Sequence, residues 1–264
     1  MSGPWARRMA WLGAGLGLLV ALLVFAPARW LADGIGSATN GQLQFVNARG
    51  TVWQGRADVL FTGGEGSRTL TGLPQGVAWR LRPTLAGAMP AMNVALSAPC
   101  CTPAPLDFTV VPRWGGMALS LASFTSRWPA ELLSGLGTPW NTLRMEGQLA
   151  LQSSGLTLRV DRGRANLQGV LTVDALDIAS RLSTLRPLGS YRMELRAAPD
   201  GHTATLNLNT LSGDLLLQGS GQWVGGRLRF RGEAEAAPGR EVALTNLLNI
   251  MGKRQGTRSV FSIG

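Results

Sequence analysis

Histidine is almost missing from this chain: one residue, His202, in 264. Hydrolase triads and zinc sites lean on imidazole as base or ligand, so both chemistries begin without their usual parts. His202 follows the turn pair Asp200-Gly201, which places it on the surface. Cysteine is equally scarce. The two present, Cys100 and Cys101, are neighbours, which is not the spacing of a metal-binding pair. Lysine occurs once, at Lys253, so the positive charge is almost all guanidinium. Acidic residues are outnumbered 15 to 25, leaving a net charge of +10 and a pI of about 11.4. The carboxylates Asp58, Asp107, Glu146, Asp161, Asp174, Asp177, Glu194 and Asp214 are dispersed on strands or beside turns, and read as solvated partners of arginine, not as a glycosidase pair. The glycines Gly13, Gly15 and Gly17 mimic a dinucleotide loop but follow no strand. With no nucleophile, metal cluster or phosphate loop in view, the sequence reads as a non-enzyme without a cofactor.

There is only one long hydrophobic run. Met9 to Ala26 is 18 uncharged residues, preceded by Arg7 and Arg8 and broken by Pro27 before Arg29. That is the lower edge of what crosses a bilayer as a helix. Positive charge on its N-terminal side sets the N-terminus in the cytoplasm and sends the remainder across. The reading is residues 1–8 as a cytoplasmic stub, 9–28 as a single-pass inner anchor (Met9, Gly13, Gly17, Ala26), and 41–264 outside. A cleaved signal peptide is the competing reading, because Ala26-Pro27-Ala28 has the small-x-small form of a processing site. Gly13 and Gly17, like Ala10 and Ala14, are four apart, a spacing that lets helix backbones approach in lipid. Trp5, Trp11 and Trp30 flank the span, where indole favours the interface.

Beyond the run, the period is two. Alternation marks strands at Val77-Trp79-Leu81, Met92-Val94-Leu96, Met117-Leu119-Leu121, Leu143 to Leu151, Leu156-Leu158-Val160, Tyr191-Met193-Leu195, Ala204-Leu206-Leu208 and Leu228-Phe230. Turn chemistry separates them at Gly63-Gly64, Ser153-Ser154-Gly155, Asp161-Arg162-Gly163, Asp200-Gly201 and Gly225-Gly226. The fold class is mainly β, an antiparallel meander forming either a curved sheet or a sandwich. Short helices are expected from Trp128 to near Gly135, from Ile178 to Leu185, and from Glu241 to Met251. In the last, Leu244, Leu247, Leu248 and Met251 make an apolar stripe stopped by Gly252. Residues 41–127 and 138–264 read as two lobes that share one core or stand apart, with the Trp128 helix as seam. Thr51-Val52-Trp53-Gln54-Gly55-Arg56 and Gln222-Trp223-Val224-Gly225-Gly226-Arg227 echo each other. Of the remaining tryptophans, Trp53, Trp79, Trp114, Trp128, Trp140 and Trp223 fit core or interface packing alike.

Arg80, Arg82, Arg144, Arg159, Arg192, Arg196, Arg227, Arg229 and Arg231 alternate with apolar residues instead of forming a run, as on a solvated strand face. With the bulk outside the cytoplasm, nucleic acid is not expected as a partner; acidic proteins or anionic lipid headgroups fit a basic face better. Cys100 and Cys101, outside the cytoplasm, have only each other. A vicinal disulfide and two thiols in a proline-rich loop both stay open.

Several segments carry a family likeness. Thr51-Val52-Trp53-Gln54-Gly55, Pro187-Leu188-Gly189-Ser190-Tyr191, Leu211-Ser212-Gly213 leading to Gly219-Ser220-Gly221-Gln222-Trp223, and Leu247 to Arg254 through Phe261-Ser262-Ile263-Gly264 together resemble the type II secretion system protein N family. The resemblance implies a Gram-negative inner-membrane protein with its bulk in the periplasm, an accessory part of the general secretion pathway that meets other secretion subunits. It also implies kinship with AsmA-like proteins, whose curved sheets form an apolar groove suited to phospholipid. No catalytic residue belongs to the family's description.

Overall fold

The structure, a computed structural model, describes residues 4–63, 70–137, 140–162, 164–224 and 227–264. Helix α1 (Pro4–Val24) is followed by α2 (Ala28–Ala38) and then by strands. The first series is β1 (Leu43–Gly50), β2 (Gln54–Thr62), β3 (Leu70–Gly72), β4 (Val77–Ala86), β5 (Met89–Ser97), β6 (Leu106–Arg113), β7 (Gly116–Leu121) and β8 (Phe124–Pro129). A 3-10 helix (Ala130–Leu136) and the one-turn α3 (Trp140–Leu143) come next. The second series is β9 (Met145–Asp161), β10 (Arg164–Ser180), β11 (Gly189–Ala197), β12 (Thr203–Gly213), β13 (Leu215–Val224) and β14 (Arg227–Ala236). Helix α4 (Glu241–Met251), β15 (Lys253–Gln255) and β16 (Arg258–Ile263) close the chain.

All the described strands join one antiparallel sheet in the order β1-β2-β4-β5-β6-β7-β9-β10-β11-β12-β13-β14-β16-β15, with β3 beside β2 and β8 beside β9. Among the described residues there is no second sheet, so the sandwich alternative gives way to a single open sheet. The sheet runs straight through the expected seam, since β7 pairs β9 from Gly116↔Asp161 to Leu121↔Leu156.

Register explains the two faces. Leu151↔Val173, Val173↔Met193 and Met193↔Leu208 place apolar residues on one side. Gln152↔Thr172, Thr172↔Glu194 and Glu194↔Asn207 place polar ones on the other. The apolar face is covered only locally. Leu132 of the 3-10 helix and Ala28 of α2 join Val59, Val77 and Trp79 in one buried cluster. Leu244, Leu247 and Leu248 of α4 pack onto Leu215 and Ala234 in another. Ile178, Tyr191, Leu208 and Phe230 form a third. The 3-10 helix touches both β2 and β9, strands that β4, β5, β6 and β7 separate in the sheet, which requires the sheet to curl.

Some expectations need correction. Trp128 and Pro129 end a strand, and helical turns begin only at Ala130, ending at Leu136 close to the expected Gly135. Pro129, extended at φ −60 and ψ 133, caps that helix instead of opening it. Ile178 to Ser180 complete β10 because they pair with β11 and β9, and among residues 181 to 185 there is no helix. Ser153-Ser154-Gly155 is not a hairpin turn but an irregularity inside the 17-residue β9. There Ser153 Oγ donates to Val170 O at 2.8 Å and accepts from Gly155 N at 3.1 Å, which keeps the local backbone satisfied without reversing it. Gly252 ends α4 in an extended conformation, with no left-handed cap. The Asp200-Gly201 hairpin is as read: Gly201 lies at φ 70, and Asp200 Oδ1 accepts from His202 N at 3.0 Å. Of the other turns, Gly64, Gly163, Gly225 and Gly226 lie outside the described residues.

Candidate binding surfaces

Three surfaces bear on function: the junction between α1 and the sheet, the loop at Cys100-Cys101, and the polar face with its free edge.

At the junction, Ala26 and Ala28 are buried at 7% and 1% exposure, although the sequence assigns them to the anchor region. Pro27 forms a β-bridge with Thr51, and Val52 N donates to Ala26 O at 2.8 Å. The indole of Trp53 donates to Leu23 O at 2.7 Å, and that of Trp79 to Val52 O at 3.0 Å. These bonds rely on a tight β1–β2 connection, and Gly50 supplies it. It sits at φ +94, and a Cβ there would come within 2.5 Å of Gln54 O. Along α1 the apolar side chains have no cover from the chain itself: Met9, Trp11, Leu16 and Leu23 are 54%, 78%, 65% and 57% exposed. A Cβ at Gly13 or Gly17 would meet nothing within 4 Å. Among the described residues no helix is long and apolar enough to cross a membrane. The side chains of Trp5, Arg7, Arg8, Ala10 and Trp140 lie outside the described ones.

The two sulfurs are bonded, with Cys100 and Cys101 Sγ 2.09 Å apart. Cys101 is buried at 4% exposure, its N–H donates to Ala98 O at 2.8 Å, and its carbonyl accepts from Arg127 N at 2.8 Å beside β8. A cleft of about 720 Å³ opens there, lined by Thr102, Arg127, Gln152 and Asp174 among others.

Four of the eight candidate carboxylates, Glu146, Asp174, Glu194 and Asp214, pair with arginine. Asp174 takes Arg192 in a two-point contact, 2.7 Å on each oxygen, which holds the guanidinium above its already high pKa, chiefly through the hydrogen bond. Glu146 receives Arg181 and Arg186, Glu194 receives Arg196, and Asp214 receives Arg240. Asp200 is held below the usual carboxylate range, chiefly by the His202 N–H, which acts against desolvation with further help from Thr203. His202 is exposed. No cluster of metal-ligating side chains occurs among the described residues. At the far end, β16 pairs β14 from Phe230 to Glu235, and Gly264 lies beside Leu228 and Arg229. Arg227 and Arg229 line a cleft of about 560 Å³ with Thr205, Asn207, Ser220 and Gln222. The echo of Thr51–Arg56 in Gln222–Arg227 has no structural counterpart: Trp53 stands in a bend before β2, Trp223 inside β13.

Sequence reading missed Arg49 and Arg56, which flank the β1–β2 connection. The signal was their near-symmetric placement about Thr51–Gln54.

These features define a class: an all-antiparallel open-sheet protein with short helices over parts of one apolar face and a mixed-charge opposite face. The family model of type II secretion system protein N matches residues 41–261, and the chain belongs to that family. It therefore takes part in type II secretion and meets other components of that machinery. No curated protein and no solved structure matches the chain.

Proposed function

We propose that the protein is an accessory inner-membrane component of the type II pathway, tethered by α1 with its sheet in the periplasm, and that it acts by binding partner proteins and not by catalysis. The observation that carries this reading is the exposed start of β14. There the guanidinium groups of Arg227 and Arg229 line a cleft, and no carboxylate partner for either occurs among the described residues. Guanidinium groups without a partner take carboxylates in two-point contacts, which selects an acidic partner segment. The outermost strand at this end of the sheet, β15, is short and charged, a form that discourages indiscriminate pairing.

Support for the tether comes from the uncovered apolar residues of α1, since a helix apolar all round belongs in lipid or a large core. The burial of Ala26 and Ala28 favours retention of the helix over processing. A photo-crosslinking residue at Gln222, in the membrane-bound full chain, should capture secretion subunits, while one at Val242, 92% exposed on α4, should not. Capture of no subunit at Gln222 would count against the reading. Protease added to spheroplasts should digest the sheet; survival there, with cutting only after lysis, would refute the topology.

A second reading rests on the partial cover of the apolar face. Met117, Met193 and Trp223 are 43%, 37% and 45% exposed there, so acyl chains of phospholipid would find apolar surface to lie along, as in AsmA-like proteins. Stoichiometric phospholipid after solvent extraction of the purified protein would favour it over protein binding alone.

A further inference from the structure

Arg49 and Arg56 are directly opposite in the β1–β2 register. Residues so paired leave the same face with Cβ atoms about 4.5–5.5 Å apart, and like charges in that relation destabilise the pair. Arg80 is opposite Gln54, two residues from Arg56 along β2 and hence on the same face. The three side chains are exposed and line one cleft of about 800 Å³ with Thr51, Gln54 and Gln75. Among the described residues no carboxylate lines it, and none of the three arginines has an ion-pair partner. Asp58, on the same face of β2, receives Asn47 Nδ2 at 2.8 Å, and Asp107 is separated from Arg80 by Ala95 of β5. Farther along this face the arginines Arg192, Arg196 and Arg258 are neutralised by acids. Three unneutralised guanidinium groups, two of them directly opposed, are what a doubly hydrogen-bonding anion would stabilise.

The place of the cleft selects the anion. Thr51, on its wall, is bridged to Pro27, and the adjoining Val52 and Trp53 are bonded to Ala26 and Leu23 at the end of α1. We propose that this cleft binds the phosphate of an anionic phospholipid headgroup at the membrane surface from which the sheet emerges. The phosphate chemistry rests on the arginines alone; the lipid source rests on the reading of α1 as the tether. Guanidinium groups of Arg49, Arg56 and Arg80 grip the phosphate oxygens, and Gln54, Gln75 and Thr51 supply neutral donors to the rest of the headgroup.

The test is native mass spectrometry of the full chain, released from detergent after incubation with equal amounts of phosphatidylglycerol and phosphatidylcholine. Wild type should retain phosphatidylglycerol in preference by roughly tenfold or more. The variant Arg56→Gln with Arg80→Gln should lose the preference, and Arg159→Gln, on the same face of the sheet, should keep it. Because the substitutions relieve repulsion, the double variant should melt at or above the wild-type temperature, so lost retention is not unfolding. Equal retention of both lipids, or a preference that survives the double variant, would overturn the proposal. Titration with inorganic phosphate, or with a glutamate-rich peptide, forms the other arm. Binding there to wild type but not to the variant, without lipid preference, would replace the lipid with a soluble anion or an acidic partner. Alkaline carbonate extraction judges the tether separately: a chain washed off membranes that still prefers phosphatidylglycerol keeps the site and loses the anchor.

Discussion

The indole of Trp53 donates its N–H to the carbonyl of Leu23 across 30 residues of sequence, at 2.7 Å. That carbonyl belongs to the last turn of α1, which has no intrahelical donor for its final acceptors. The bond fixes the direction in which the helix leaves the sheet. Trp53→Phe keeps the ring and removes the donor, at a cost of about 0.5–1.5 kcal/mol. Hydrogen exchange of the Val52 amide, bonded to Ala26 O, should quicken while strands beyond β5 keep their protection. Unaltered exchange at Val52 would show that the junction holds without the indole.

Tyr191 gives the molecule an alkaline limit. Its hydroxyl donates to Leu215 O at 3.0 Å, the ring is 5% exposed, and burial, aided by the charge of Asp214, pushes its pKa well above the ordinary 10.0. In the unfolded chain the phenol loses its proton near the ordinary value; in the folded one it keeps it. Below that pH both states hold the proton and Tyr191 adds no pH dependence. Above it the folded state binds more protons than the unfolded, so stability falls as pH rises. Urea melts between pH 9 and 11.5 should show this decline, and Tyr191→Phe should flatten it. A variant whose stability falls as steeply as wild type would place the alkaline loss elsewhere.

Much of this fold was legible because alternation survives wherever the register is regular. Tyr191 to Ala197 and His202 to Asn209 read as a hairpin about Asp200-Gly201 and pair as one. Helix α4 was legible to its ends, since its leucine stripe has no strand period. What failed were places where one extra residue shifts the count. In β1, three steps from Val46 to Arg49 oppose two steps from Asp58 to Arg56, so the alternation of β1 changes face partway along the strand. The same shift in β9 and β10 made Ser153-Ser154-Gly155 look like a turn. Ile178 was misread because its burial comes from β11 and from packing with Tyr191, contacts that no local pattern contains. The arginine cleft was hidden for both reasons: Arg49 and Arg56 meet only after the bulge, and Arg80 arrives from another strand.

Cover by α4 should be worth more than its surface suggests. Leu248 is 1% exposed and packs with Leu215 and Ala234 against the end of the sheet. Leu248→Ala should cost about 2–5 kcal/mol, the range for deleting a buried leucine side chain. Val242→Ala, on the same helix but 92% exposed, should stay within about 0.5 kcal/mol of wild type. Chemical denaturation of both variants checks the contrast, and equal effects would mean that α4 does not cover the core.

The bond between Cys100 and Cys101 makes the chemistry of that loop asymmetric. Alkylation of the denatured protein without reductant should label neither residue, and after reduction it should label both. Two labelled thiols before reduction would remove the disulfide. Breaking it from either side then separates bond from burial. Cys101 is 4% exposed in a cluster with Leu132 and Trp79, whereas Cys100 is only half-buried at its margin. Serine at either position opens the same bond, but at 101 it also buries a hydroxyl among apolar neighbours, where no side-chain acceptor of that cluster awaits it. Cys101→Ser should therefore be less stable than Cys100→Ser by about 1–3 kcal/mol. Equal losses would mean that the covalent link alone, and not the packing of Cys101, ties this loop to the sheet.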